Sequence, residues 1–376
     1  MQPATHVREI PKNPYRETRI RTGTLRYDLT SEAYRSLPIT FRREATELIP
    51  GLSPARVVGD PAVRALVAEE YQNGISGDHI ALVPGAKYGL RVILEAIVNP
   101  GDSVLVPDPG YPVYNHLVHL CRGVPKPYPL VHENHFQISR STLRSLIEPN
   151  TRCMIVNSPH LPTGTICTRR TLEDIAAIAC EYDLAVISDE VLKTLSASEV
   201  PSIATLPGMR ERTVMVESIS KRFFLAEWRV GWLVLPPTLI EPVWYILANG
   251  APLATEAQAV LATLLAWERK GDSWVWKFRE TLAKKRHEAF TALSMIPSFF
   301  CVEPSAGNWL FPRVSQRLQS SIFIQQLMEH KIGVLPGGIF GAGGKEHIAI
   351  SCAMKEELLA QSMIALESAC RIINPA

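Results

Sequence analysis

Short unbroken apolar runs recur along this chain, and stretches with helical spacing lie between them. Ile80–Val83, Ser103–Val106, Cys153–Val156, Leu184–Ile187, Thr213–Val216 and Val230–Leu235 show little polar alternation. Runs of that length suit strands buried on both faces of a parallel sheet. Gly59-Asp60-Pro61 opens a helix in which Val63, Leu66 and Val67 share a face, and Pro61 fits its first turn. Further helices are expected over about 88–98, 171–182, 254–268 and 273–292, the second starting in capping fashion at Thr171. Residues 299–314 alternate as strands around Ser305–Asn308, and His347–Ser351 reads as the last strand. Residues 1–45 are rich in arginine and proline, with weak periodicity and one short helix around Ser31–Ser36, and read as a surface arm. The alternation of strand and helix predicts an α/β fold, with a mostly parallel sheet flanked by helices.

Composition narrows the class. With 376 residues the chain can bury a large core, and 46% apolar with 20% charged residues is ordinary for a globular protein. A net charge of +2 gives no reason to expect nucleic acid or an acidic membrane surface as a partner. The seven cysteines form no C-x-x-C pair, so neither a metal site nor a disulfide framework is expected, and a reducing cytoplasm fits best. The first 21 residues are charged and lack the apolar run of a secretory signal, and no apolar stretch is long enough to span a bilayer.

The candidate chemistry lies at the ends of the predicted strands. Ser218-Ile219-Ser220-Lys221 follows one strand, and Arg229 stands eight positions beyond the lysine. On spacing alone Lys221 is a solvated lysine on a connection. Pro84-Gly85-Ala86-Lys87 turns from a strand into a helix, where free backbone N–H groups and the helix dipole favour a phosphate. Asp189 ends a buried strand, which is costly unless the carboxylate is paired. Pro107–Tyr114 (PDPGYPVY) places aromatic rings after another strand end.

Taken together with Pro162-Thr163-Gly164 and the Pro336–Gly341 loop (PGGIFG), this order of motifs from Gly59 to Ser351 resembles the pyridoxal-phosphate (PLP) aminotransferases of class I/II, fold type I. The resemblance implies that Lys221 holds PLP as a Schiff base and that Asp189 pairs with the cofactor's ring nitrogen. It implies that Ser218 and Arg229 bind the phosphate, with Gly85, Ala86 and Lys87 as a third contact, and that Tyr111 lies against the ring. It implies a small-molecule substrate carrying an amino group, and a homodimer with its sites at the subunit boundary. The division it implies is an arm and part of a small domain over 1–48, a large cofactor-binding domain over 49–285, and a small α+β domain over 286–376.

Several positions depart from the family's pattern. Leu161 stands where an asparagine, and Leu192 where a tyrosine, usually donates to the ring oxygen. Ala349 stands where an arginine usually forks onto the substrate's α-carboxylate, and Glu227 replaces a glycine. His160, beside Leu161, is a possible substitute donor, although adjacent side chains at a strand end point apart. Arg35, Arg42, Arg56 and Arg313 are open candidates for the missing arginine. The expectation is an atypical member, an aminotransferase-like enzyme with an unusual substrate, Lys221 acting as general base. A lyase, a β- or γ-replacement enzyme or a cyclase remains the alternative, and a degenerate binding protein a third.

Overall fold

In the computed structural model, which describes residues 26–29, 56–71, 74–270, 274–315 and 320–373, seven strands form the central sheet. They are β1 (Ile80–Val83), β2 (Ser103–Asp108), β3 (Val124–Pro129), β4 (Thr151–Asn157), β5 (Ala185–Asp189), β6 (Thr213–Ser218) and β7 (Gly231–Val234). Their spatial order is β1-β7-β6-β5-β4-β2-β3. All pairs from β3 across to β6 are parallel, whereas β7 runs antiparallel to both of its neighbours. This is the α/β architecture that the apolar runs predict. The expected helix over 31–36 lies outside the described residues.

β3 carries no apolar run; it reads VPKPYP. Only an edge strand tolerates three prolines. The Val124 N–H, one register position away from the prolines, bonds to Asp102 on the β2 side. Pro125, Pro127 and Pro129 therefore turn their missing donors outward and blunt the free edge.

Strand parity divides the core. Ile155, Ile187, Val214, Val216 and Leu233 pack on one face, with helices α1 (Pro61–Ala68) excluded and α2 (Ala86–Ile97) and α3 (Val113–Leu120) included. Met215, Trp232 and Val234 face the other way, against α1. Asp60 caps α1, its carboxylate accepting from the Ala62 and Val63 N–H groups. α2 begins at Ala86, two residues before the expected start, so Lys87 belongs to its first turn. The helix expected from Thr171 starts instead at Arg169, because Thr168 is the cap and Thr171 supplies the N–H that it accepts.

The remaining strands are short. Trp309–Leu310, Ile348–Ser351 and Leu335–Pro336 make a three-stranded antiparallel sheet, Phe299–Phe300 pairs with Arg313–Val314, and Tyr27–Asp28 pairs with Ile332–Gly333. The 285/286 boundary falls inside one helix, Trp274–Ser294. Arg286 in that helix is buried, and its guanidinium donates to the carbonyls of Leu195, Pro304, Ser305 and Gly307, tying the two parts together.

Candidate active site

A cavity of about 250 Å³ opens at the C-terminal ends of β4, β5 and β6. In open α/β sheets that end is where loops gather and ligands bind. Ala86, Lys87, Tyr111, Asp189, Ser218, Lys221 and Arg229 all line it. Gly85 stands just behind. Its φ of +84° is one that only glycine adopts without strain, and an added Cβ would run into the Arg229 guanidinium. The eight residues that the resemblance singles out thus converge on one place.

Each is delivered by its element. Ser218 ends β6 and caps the single turn α4′ (Ile219–Arg222), its Oγ accepting from the Ser220 N–H at 3.0 Å. The same hydroxyl lies 2.9 Å from both Ser220 Oγ and the Val230 carbonyl. That turn presents Lys221 to the cavity. Arg229 holds a left-handed backbone (φ 54°), and its Nη1 donates to the Ala226 carbonyl at 2.9 Å. Glu227, where the family's glycine is usual, is exposed on the same short loop.

Asp189 is buried at the end of β5. Burial pushes its carboxyl up to about 6, against two hydrogen bonds that favour the ionised form. Tyr114 Oη donates to Oδ2 at 2.7 Å, and the Val191 N–H reaches Oδ1 at 3.3 Å. A cation placed beside this acid would relieve the cost of burying it. The donor set therefore fits PLP: an anion cradle at the start of α2 with Arg229 and Ser218, an acid for the ring nitrogen, and a lysine between them.

Tyr114 and Asn157 also line the cavity, and neither was marked by spacing. Tyr114 belongs to the PDPGYPVY stretch, but α3, which carries it, follows Pro112 and has too short an apolar pattern to be read as a helix. Asn157 Oδ1 accepts from the Leu161 N–H at 2.8 Å while its Nδ2 donates to the Pro159 and Asp189 carbonyls.

At the departures, Leu161 lines the cavity and His160 does not. His160 is buried with Nδ1 2.8 Å from Thr163 Oγ1, and burial pushes its pKa down to about 4. Leu192 and Ala349 are buried in a common apolar cluster. Arg313 pairs with Glu133 and lies over the Phe300 ring, and Arg56 is exposed; neither lines the cavity. Arg35 and Arg42 lie outside the described residues.

Comparison with known proteins identifies the family. The family "Aminotransferase class I and II" matches residues 55–366. An aspartate aminotransferase of Pyrococcus abyssi is 34% identical over 326 residues, covering 84% of this chain and 83% of the relative. Aromatic-amino-acid aminotransferase 2 of Thermococcus litoralis is 33% identical over 82% of each chain. The crystal structure of an aromatic aminotransferase from Pyrococcus horikoshii superposes with a TM-score of 0.85 at 30% identity, covering 91% of this chain and 94% of that one. The chain belongs to the class I and II aminotransferases, a family of transferases. Among the described residues, no helix is long and apolar enough to cross a membrane.

Proposed function

We propose that the protein is a PLP-dependent aminotransferase in which Lys221 carries the cofactor, acting as a homodimer on an amino acid that the usual arginine fork does not hold. The observation that carries this reading is the convergence of Lys221, Asp189, Ser218, Arg229 and the start of α2 on one cavity. Bound there, the cofactor supplies an electron sink for a proton leaving the substrate's Cα. Asp189 keeps the ring nitrogen charged. Arg229, Ser218 and the free N–H groups of α2, with Lys87 in its first turn, hold the phosphate. Tyr111 braces the ring through its π-face. The Lys221 amine, once released, takes up and returns the proton. In the same reading, 49–285 form the cofactor-binding domain, and 1–48 with 286–376 the smaller one.

Leu161, Val191 and Leu90 give the cavity an apolar wall, and Ala349 is fully buried in an apolar cluster. A lost charge-assisted hydrogen bond costs roughly 1.5–3 kcal/mol, so simple amino acids bind at least about tenfold less productively. The true substrate recovers this through its side group. An aromatic or extended apolar side group suits the wall.

Borohydride reduction followed by peptide mapping tests the reading: the pyridoxyl label should fall on Lys221. A label on another lysine, or none, sinks it. A panel of amino acids separates the alternatives for the reaction. Keto acid formation supports transamination; loss of a side-chain group without keto acid supports a lyase. Brisk turnover of alanine or aspartate by the wild type would remove the case for an unusual substrate. A monomeric mass in solution at working concentration would count against the dimer.

A further inference from the structure

We infer that Tyr114 is a positioning residue for the reaction: its hydroxyl fixes and ionises Asp189 while its ring braces Tyr111, so one side chain couples the acid to the aromatic wall. The inference rests on the reading of Asp189 as the partner of the cofactor's ring nitrogen.

Tyr111 immediately precedes Pro112 and α3, and Tyr114 lies in that helix's first turn. The Tyr114 N–H bonds back to the Tyr111 carbonyl at 3.1 Å. Their rings meet edge to face, with centroids 5.5 Å apart and an interplanar angle of 88°. That arrangement is the favoured one for two aromatic quadrupoles, and it fixes the tilt of Tyr111. Tyr114 itself is only 2% exposed, so its ring has no other orientation available in a packed core.

The hydroxyl does a second job. At 2.7 Å from Asp189 Oδ2 it takes one lone pair of that oxygen and holds the carboxylate plane. A carboxylate offers about four lone-pair sites, so Oδ1, with one long bond to the Val191 N–H, keeps capacity for a further donor. The phenol remains a donor throughout. Burial raises its pKa well above the usual value, and the negative charge of Asp189 raises it further. The bond also favours the charged acid. Among the effects on Asp189, burial raises its pKa and the Tyr114 bond is the first of those that lower it.

The other charged or titratable groups around the acid include acids and bases. Glu190 beside it raises its pKa, and Glu217 lies on the neighbouring strand with its own carboxyl pushed up to about 8. Lys221, Arg229 and Lys87 line the same cavity. The phenol, at 2.7 Å from Oδ2, is the side chain that sets the direction of the acid.

The test uses the purified full-length chain as wild type, Tyr114→Phe, Asp189→Asn and the double variant, each titrated with PLP between pH 5 and 9. Phenylalanine keeps the ring and removes only the donor. In Tyr114→Phe, the acid limb of PLP retention should move up by about one pH unit or more, because a hydrogen bond to a charged group is lost. The acid limb of kcat should move with it, while KM for the amino donor changes little. In the Asp189→Asn background the same substitution should add no further shift. Wild-type pH dependence in Tyr114→Phe, or an equal shift in the absence of Asp189, overturns the inference.

A wild type that takes up no PLP would instead overturn the cofactor reading, and melting curves of the ligand-free protein then decide about Tyr114. The folded pKa of Asp189 is raised above its unfolded value, so the stability associated with this group is present at low pH and lost as pH rises through about 6. Tyr114→Phe should carry that loss about one unit higher. Superimposable curves overturn the coupling.

Discussion

The two faces of the central sheet carry buried acids in opposite circumstances. On one face Asp189 borders a cavity with two hydrogen bonds and spare lone pairs. On the other, Glu190 accepts from Ser188 and Ser202 and pairs with Lys193 at 2.9 Å. Behind it Arg222 meets Glu70 and Glu268, each at 2.5 Å, and Arg279 meets Glu268 at 2.8 Å. The last residue of β5 and the one that follows it thus present one acid to the cavity and one to a closed network of charges. Burial alone does not mark an acid as functional; unused bonding capacity facing a cavity does.

Glu217 is the exception on the far face. Its Oε2 has no hydrogen-bond partner among the described residues, and burial pushes its carboxyl up to about 8, partly offset by Arg222. It faces no cavity residue set of the kind around Asp189, and it sits among the charges of the network rather than outside it.

The comparison breaks first at Asp189. Asp189→Ala should leave a folded protein that retains some PLP but loses activity by about two orders of magnitude or more, the scale for removing a preorganised charge. Near-normal kcat in a PLP-loaded Asp189→Ala protein would place this acid with the structural ones. Next is Arg229. Arg229→Ala should weaken PLP retention by about ten- to a hundredfold, the worth of a charge-assisted phosphate contact, with kcat at saturating PLP less affected. Equal and small effects of both substitutions would count against their placement at opposite ends of the cofactor.

The smallest effect is on the far face. The folded pKa of Glu217 lies above its unfolded value, so its contribution to stability is present in acid and lost as pH rises through about 8. Glu217→Gln should therefore raise Tm by a few degrees at pH 9, less at pH 6 and little at about pH 4, with activity per folded molecule unchanged. A larger activity loss than stability gain would mean that the two faces are not independent.

The strands of this fold were legible where both faces are buried, since continuous apolar runs such as Cys153–Val156 and Leu184–Ile187 need no alternation. The edge was not: a strand written VPKPYP pairs on one side only, and its prolines would exclude it from any interior position. The site followed the same division. Lys221, Arg229, Ser218 and the Gly85 turn could be found because each belongs to a local motif whose order along the chain resembles the family's. Tyr114 could not, because its bond to Asp189 joins residues 75 positions apart, and nothing local distinguishes a core tyrosine from one that holds an acid.

Ser218 has one proton and two acceptors within reach, Ser220 Oγ and the Val230 carbonyl, while it also receives the Ser220 N–H. Its hydroxyl is thus already employed in capping the turn that presents Lys221. A phosphate oxygen can take that proton only by drawing it from one of these acceptors, so the contact is an exchange and its net worth is about 1 kcal/mol or less. What the serine supplies is a rotor. It turns about one bond to follow the ligand, and the turn bearing the lysine remains capped whichever way the proton points.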